Sequence, residues 1–139
     1  NPAAVPLLGV RKSGAILIAR VIRHESDGIT ILKTSGGHLE LPGVMAPVGT
    51  NVRLRVMAQD VILSRTRPKG LSSRNILAAK VTNIHIGTGP GAAIAVKSGE
   101  DIILARITAR AVRDMALEVG QDCYAIFKAT TVAPDQIGR

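Results

Sequence analysis

Short apolar segments separated by glycine-containing turns run through most of this chain. Residues 14–24 carry apolar side chains at both odd and even positions, which predicts a strand at least partly buried on both sides. Asp27-Gly28 is a strong hairpin signal, so Ile29 to Lys33 is expected to return beside that strand. His38 to Leu41 then alternates strictly, which predicts a third strand with one solvated face. Together these segments indicate an antiparallel sheet.

The segment from Val52 to Val56 alternates apolar residues with Arg53 and Arg55. Because successive side chains of a strand point to opposite faces, we expect the apolar ones to face a core and both arginines to face away. Asp60 to Leu63 is predicted to be a short strand. The basic stretch Ser64 to Gly70 that follows is expected to be an inter-domain linker.

The second half of the chain repeats this plan. Strands are predicted in four apolar segments, which are Ile76 to Ile86, Ala92 to Val96, Asp101 to Ile107 and Cys123 to Ala129. Thr108 fits an N-cap before a short helix, since Ala109, Val112 and Ala116 would share one helical face. Gly120 is expected to end this unit.

Local matches indicate an internal duplication. Val48-Gly49 precedes one predicted strand as Val119-Gly120 precedes another, an offset of 71 residues (120 − 49), whereas Ala19-Arg20-Val21 resembles Ala79-Lys80-Val81 at an offset of 60 (79 − 19). An inserted helical turn in the second copy accounts for the difference. We therefore predict an all-β fold with a minor helix, made of two tandem OB-like small β-barrel modules.

The expected divisions follow from this duplication. They are a linker or tail at residues 1–13, a first OB-like module at 14–65, a basic linker at 66–71, a second module at 72–133 and a tail at 134–139.

The net charge of +8 and the pI near 10.6 invite a nucleic-acid interpretation. Single-strand binders interleave basic residues with aromatic stacking platforms, and here Tyr124 and Phe127 are the only aromatic residues. We therefore do not expect nucleic acid as a partner, and the charge is interpreted as solvated or facing an acidic protein. An OB-fold single-strand nucleic-acid binder stays open as the alternative.

Catalysis and metal binding find little support in the sequence. Cys123 has no obvious base nearby and is interpreted as a buried structural thiol. His24, His38 and His85 are scattered over different predicted strands, so no metal site is expected. A near-match to a phosphate-binding loop has Val96 where its second glycine is required. No catalytic residues are predicted.

A small set of polar residues at strand ends suits a compact oxyanion. Ser72, Ser73 and Arg74 precede one strand, Thr108 begins the helix and Lys128 follows the closing strand. Each also has a local explanation, since Thr108 can simply cap its helix, the two serines can form a turn and Lys128 can be solvated. From the residues alone these local roles are favoured.

A family resemblance changes that balance. Leu71 to Leu77 resembles the S-A-R-N signature that opens molybdate- or tungstate-binding Mop modules, and Ile103 to Ala109, Val119-Gly120 and Ala125 to Ala129 resemble the later stretches of such modules. Val48 to Leu63 is similar to the stretch that precedes the module in importers. The chain thus resembles the C-terminal regulatory region, with TOBE/Mop-like modules, of the ATP-binding subunit of a molybdate ABC importer.

The resemblance implies a non-catalytic regulatory and dimerisation region whose second module is a Mop-like oxyanion-binding module. Such modules dimerise, often by exchanging a strand, and some bind molybdate or tungstate at subunit contacts. The implied partners are a second copy, the ATPase domain of the same parent chain, which this chain lacks, and a permease subunit. The implied location is cytoplasmic, at the inner face of the cell membrane, and no cofactor is implied.

The implied ligand positions include one more residue than the polar set above. The oxyanion-binding positions carried over from the family are Ser72, Ser73, Arg74, Asn75, Thr108 and Lys128.

Two departures from the family pattern bear on ligand binding. Ala111 and Ala129 stand where the family often has hydroxyl residues, while Ser73 replaces the usual alanine and could compensate. Loss of hydroxyl donors would weaken or abolish oxyanion binding. The remaining hypothesis is therefore a ligand-free dimerisation scaffold of an importer ATPase.

Overall fold

The computed structural model describes residues 15–132 and 137–138. The strands are β1 Ala15–His24, β2 Ile29–Thr34, β3 Gly37–Pro42, β4 Asn51–Val56, β5 Ile62–Ser64, β6 Asn75–Ile86, β7 Gly91–Ser98, β8 Asp101–Thr108, β9 Asp122–Phe127 and β10 Ile137–Gly138. One α-helix, α1, spans Ala109–Asp114, and 3-10 turns span Ala58–Asp60 and Ala129–Thr131. The predicted tail at 1–13, and residues 134–136 and 139 of the other predicted tail, lie outside the described residues.

The strands form two five-stranded antiparallel sheets. Their orders are β10-β4-β1-β2-β3 and β5-β9-β6-β7-β8. Each sheet curls around apolar side chains, so the predicted all-β architecture of two tandem OB-like modules with one minor helix is confirmed. No helix within the described ranges is long and apolar enough to cross a membrane.

Each sheet includes a strand from the other half of the chain. Strand β5 follows β4 along the chain but pairs with β9, with Leu63 opposite Ala125. Strand β10 follows β9 but pairs with β4, with Ile137 opposite Leu54. The two modules therefore exchange one short strand each. The predicted module limits, 14–65 and 72–133, stay predictions, and the exchange places residues 62–64 in the second sheet.

Alternation along the strands determines what each module buries. In β4 the apolar residues face the core, whereas Arg53 and Arg55 are exposed, as the sequence predicts. Strand β1 buries one face completely, but Ile16 and Ile18 on its other face are 43% and 47% exposed. The second face of β1 is therefore covered much less than its apolar composition suggests.

The duplication is visible in the element positions. Strands β1 and β6 begin 60 residues apart (75 − 15), whereas β4 and β9 begin 71 residues apart (122 − 51). Helix α1 accounts for most of the difference, and Thr108 caps it, since its Oγ1 accepts a hydrogen bond from the Ala111 amide at 3.0 Å. The predicted helical position of Ala116 is wrong, because α1 ends before it and Ala116 has a φ of 52°.

The two modules pack through equivalent elements. Strand β3 contacts the start of β6 and the second 3-10 turn, while β8 contacts the start of β1 and the first 3-10 turn. In the second of these contacts Ala15 and Ala58 bury their side chains against Ala95 and Leu104. The module junction is thus approximately two-fold symmetric within one chain.

Two hairpin turns meet at the centre of this junction. The Ser35 hydroxyl accepts a hydrogen bond from the Glu100 amide at 2.7 Å. A Cβ atom added at Gly36 would lie 2.8 Å from the carbonyl carbon of Ser98, which is closer than packed atoms approach. Burial raises the pKa of the adjacent Asp101, and hydrogen bonds from the Ile18 backbone and Ser35 oppose the increase. The turns fit only because glycine occupies this position.

We expect Gly36→Ala to destabilise the protein by about 1–3 kcal/mol, because the new methyl group must displace the Ser98 backbone. Urea unfolding followed by circular dichroism measures this change. Gly89→Ala is the matched control, since a Cβ there meets nothing within 4 Å. Equal stabilities of the two variants would show that the turn contact is not tightly packed.

Candidate functional site

The start of β6 and the end of β9 form one corner of the second module. Asn75 pairs with Phe127 across the two strands, and the Ser73 hydroxyl donates to the Phe127 carbonyl at 2.9 Å. Lys128 follows Phe127 directly and is exposed, as is Ser72. The fold therefore brings five of the six predicted oxyanion-binding residues to this corner.

Asn75 is a buried part of the module junction. Its side chain is 0% exposed, its Oδ1 accepts from the Glu40 amide at 2.8 Å, and its Nδ2 donates to the Glu40 carbonyl at 3.2 Å. The amide side chain thus occupies the position that a neighbouring strand would take beside β3. Both of its polar atoms are engaged within the protein.

Arg74 lies on the surface beside the same residue of β3. Its Nε is 3.6 Å from Glu40 Oε2, and the arginine side chain is 68% exposed. Exposed ion pairs contribute roughly 0–1 kcal/mol, so this contact is a weak one. An anion of higher charge density can therefore compete with Glu40 for the guanidinium group.

Arg74 also lines a cleft of about 620 Å³ between the two modules. Its other charged or titratable lining residues are Arg23, His38, Glu40 and Arg67. The guanidinium of Arg67 lies 5.7 Å from the centre of the Tyr124 ring, which favours a fixed orientation. Three guanidinium groups face one carboxylate in this cleft, so its electrostatic potential favours an anion.

Sequence reasoning missed three residues of this cleft. Arg23 and His38 lie on the outer faces of β1 and β3, and Arg67 was assigned to a solvated linker. Alternation indicates that the first two point away from the core. Nothing local to either strand indicates that the second module packs beside them.

Thr108 lies away from the other candidates within one copy of the chain. It ends β8 opposite Gly91, at the end of the sheet where β6 finishes, whereas Asn75 is at the start of this 12-residue strand. Its Oγ1 accepts the Ala111 amide hydrogen and still has a hydroxyl hydrogen to donate. A single copy therefore does not gather the whole predicted set.

The two aromatic side chains offer no open stacking platform. Phe127 is 1% exposed in the core, and Tyr124 is half-buried with Arg67 over its ring. Single-strand binding without sequence preference depends on bases stacking on exposed aromatic rings. These positions give the nucleic-acid alternative no structural support.

The titratable groups that remain have structural surroundings. Cys123 is buried, and burial together with the nearby Asp122 carboxylate raises the pKa of its thiol, which disfavours the reactive thiolate. Both ring nitrogens of His24 lie within hydrogen-bond distance, of Thr30 Oγ1 at 2.7 Å and the Ala46 carbonyl at 2.8 Å. Within the part of the chain that the structure covers, no three His, Cys, Asp or Glu residues could hold a metal ion.

Comparisons with known proteins place these observations in context. Residues 71–134 match the family model of the TOBE domain. The chain is 32% identical over 121 residues to the molybdenum import ATP-binding protein ModC of Mesorhizobium japonicum, which is 86% of this chain and 33% of that protein. It is 35% identical over 130 residues to ModC of Albidiferax ferrireducens, or 92% of this chain and 35% of that protein. The chain thus spans about a third of the length of these curated relatives.

A solved structure shares the fold. The cytoplasmic molybdate-binding protein ModG, in a crystal form with molybdate bound, matches with a TM-score of 0.75 and 24% sequence identity. The match covers 88% of this chain and 94% of that one. At this level of identity the likeness establishes the fold alone.

We expect Asn75→Ala to lower the free energy of unfolding by about 2–3 kcal/mol, since it leaves the buried amide and carbonyl of Glu40 without partners. Urea denaturation measures the loss. Asn83→Ala is the matched control, because Asn83 is exposed on the same strand. A loss no larger than that of the control would contradict a structural role for the Asn75 amide.

Proposed function

Because residues 71–134 belong to the TOBE domain family, we propose that this chain is a non-catalytic regulatory region of the ATP-binding subunit of a molybdate importer. The similarity to ModC proteins over most of the chain supports this assignment. The proposed partners are an ATPase domain of the same parent chain and a permease subunit. The region would act on the cytoplasmic side of the membrane, next to the transporter.

The proposed ligand is molybdate or tungstate, bound at the corner formed by the start of β6 and the end of β9. The observation that carries this proposal is the cross-strand pairing of Asn75 with Phe127, which sets Ser72, Ser73 and Arg74 beside Lys128. A tetrahedral oxyanion without an exchangeable proton needs donors on several sides. Hydroxyl, guanidinium and ammonium groups supply such donors.

We propose that a second copy of the chain completes this site. Thr108 is remote from the corner in its own copy, so its hydroxyl can join the other donors only from a partner. In a homodimer with two-fold symmetry, each copy would contribute a corner to one site and a Thr108 to the other. Asn75 would then support the site through the Glu40 backbone without touching the anion.

Glu40 provides a route from anion binding to a change in the module junction. Its carboxylate contacts Arg74, and its backbone is bonded to Asn75. An oxyanion that binds Arg74 would displace the carboxylate and alter how β3 meets the second module. Such an anion shifts the population of junction arrangements only to the extent that it binds one arrangement more tightly.

A ligand-free scaffold is the second candidate function. Two observations favour it: Ala111 and Ala129 lack hydroxyl groups, and the Thr108 oxygen already accepts the Ala111 amide hydrogen. In this case the region would hold two ATPase domains in register without sensing an anion. Molybdate titration separates the two functions, because the scaffold should dimerise without taking up the anion.

We expect molybdate to bind the purified chain saturably, and Arg74→Ala and Lys128→Ala each to weaken binding about tenfold or more. Each substitution removes one charge-assisted donor from an exposed position, so stability should change little. Isothermal titration calorimetry, with light scattering on the same samples, measures affinity and oligomeric state.

The control for these variants is Arg55→Ala, which removes an exposed arginine from the outer face of β4 and lowers the net charge equally. If this variant loses as much affinity, binding reflects overall charge and the proposed site is wrong. A dimer that binds no molybdate would support the scaffold.

We expect Glu40→Gln to raise molybdate affinity several-fold, because it removes the carboxylate that competes for Arg74 and keeps the backbone bonds to Asn75. The same calorimetric titration measures the change. Glu118→Gln, at an exposed position elsewhere, is the control for net charge. An equal gain in both variants would argue against competition at Arg74.

A further inference from the structure

A second groove lies on the outer face of β6, β7 and β8. Its volume is about 260 Å³, and its lining residues are His85, Gly87, Gly91, Ala92, Ala93 and Arg106. Ligand pockets for drug-sized molecules span roughly 300–1,000 Å³, so this groove suits a smaller occupant. None of its lining residues is acidic.

Strand register puts the two basic residues on either side of a small one. His85 is opposite Ala93, and Ala93 is opposite Arg106, so the three side chains form a row on one face of the sheet. Neighbouring strands are about 4.8 Å apart, which puts the Cα atoms of His85 and Arg106 about 10 Å from one another. Ala93 leaves the space between the two basic side chains unfilled.

The first module contains the equivalent row with different residues. There Arg23 is opposite Ile31, and Ile31 is opposite Glu40. The larger isoleucine fills the middle position, and a carboxylate faces the arginine across it. In the second module the middle position is open and both flanking residues are basic, so the duplication has retained the row but changed its chemistry.

Glycines beside the groove have no role in the chain's own packing. Gly87, Gly89 and Gly91 do not adopt a positive φ, and a Cβ atom at any of them would meet nothing within 4 Å. The fold itself therefore does not require glycine at these positions. Bare backbone of this kind lets an external group approach the amides closely.

We propose that this groove binds a compact tetrahedral oxyanion, such as molybdate or phosphate, at a site separate from the Arg74 corner. The Arg106 guanidinium supplies a planar fork of donors, and even a neutral His85 ring supplies one N–H. Backbone amides of Gly87 and Gly91 lie at the same groove. Ala93 forms the floor and is 1% exposed.

The three histidines of the chain allow a direct test. His85 lines this groove, His38 lines the cleft beside Arg74, and His24 is bonded to Thr30 and Ala46 in neither place. Ring correlation spectra of the isotopically labelled protein, assigned through His→Gln variants, report all three positions in one titration. Sodium molybdate and sodium phosphate are titrated separately at constant ionic strength.

We expect the His85 signals to shift saturably with at least one of the two anions, while those of His24 stay in place. Arg106→Ala should weaken the His85 response about tenfold or more, with the His38 response retained. Ala93→Ile, which copies Ile31 of the first module, should block the response by filling the groove. Arg74→Ala should leave the His85 response intact, so failure of the Arg74 site and failure of the groove give different spectra.

Three outcomes would overturn the proposal. The first is a His85 signal that moves with neither anion. The second is a response that Arg106→Ala weakens no more than Arg55→Ala does, since this would reflect general charge attraction. The third is a His85 signal that moves on dilution of the protein alone, because the groove would then contact a second copy of the chain.

Discussion

The structure depends on the fit between two modules that neither half of the chain could achieve alone. At the junction the turn Ser35-Gly36 meets the turn Ser98-Gly99, and only glycine leaves room for the Ser98 backbone. Around this contact each module gives one short strand to the other's sheet. A mutual exchange of this kind couples the folding of the modules, because the edge of each sheet is covered only when the other module is in place.

The same junction determines where the candidate chemistry lies. Asn75 takes the place of a strand beside β3, and in doing so it holds the Arg74 backbone next to Glu40. A buried amide that satisfies both polar atoms of a neighbouring residue is a strong positional constraint. The adjacent Arg74–Glu40 ion pair is exposed and weak by comparison. A rigid contact and an exchangeable one therefore stand side by side at the proposed oxyanion corner.

The sequence predicted most strands because alternation is a local signal. The apolar face of β4, the turn at Asp27-Gly28 and the Thr108 cap all depend on residues close in the chain. The pairings of β5 and β10 depend on contacts between distant segments, so no local pattern predicted them. The helix also ended earlier than its apolar spacing indicated, since Ala116 takes a positive φ instead of continuing it.

The candidate site divides along the same line. Residues 72–75 and Lys128 were grouped by resemblance, and their proximity follows from the pairing of β6 with β9. Arg23, His38 and Arg67 escaped notice because they become neighbours only when the modules pack.

Duplication explains how one fold can present two anion-attracting surfaces with different properties. Equivalent rows on the outer faces of the two sheets carry Arg23, Ile31 and Glu40 in one module and His85, Ala93 and Arg106 in the other. In the first row the carboxylate opposes an anion until it is displaced from Arg74. In the second row no lining residue is acidic, so an anion there has no internal competitor. Because the outer faces contribute little to the core, their side chains can diverge after duplication while the inner alternation that maintains both barrels is retained.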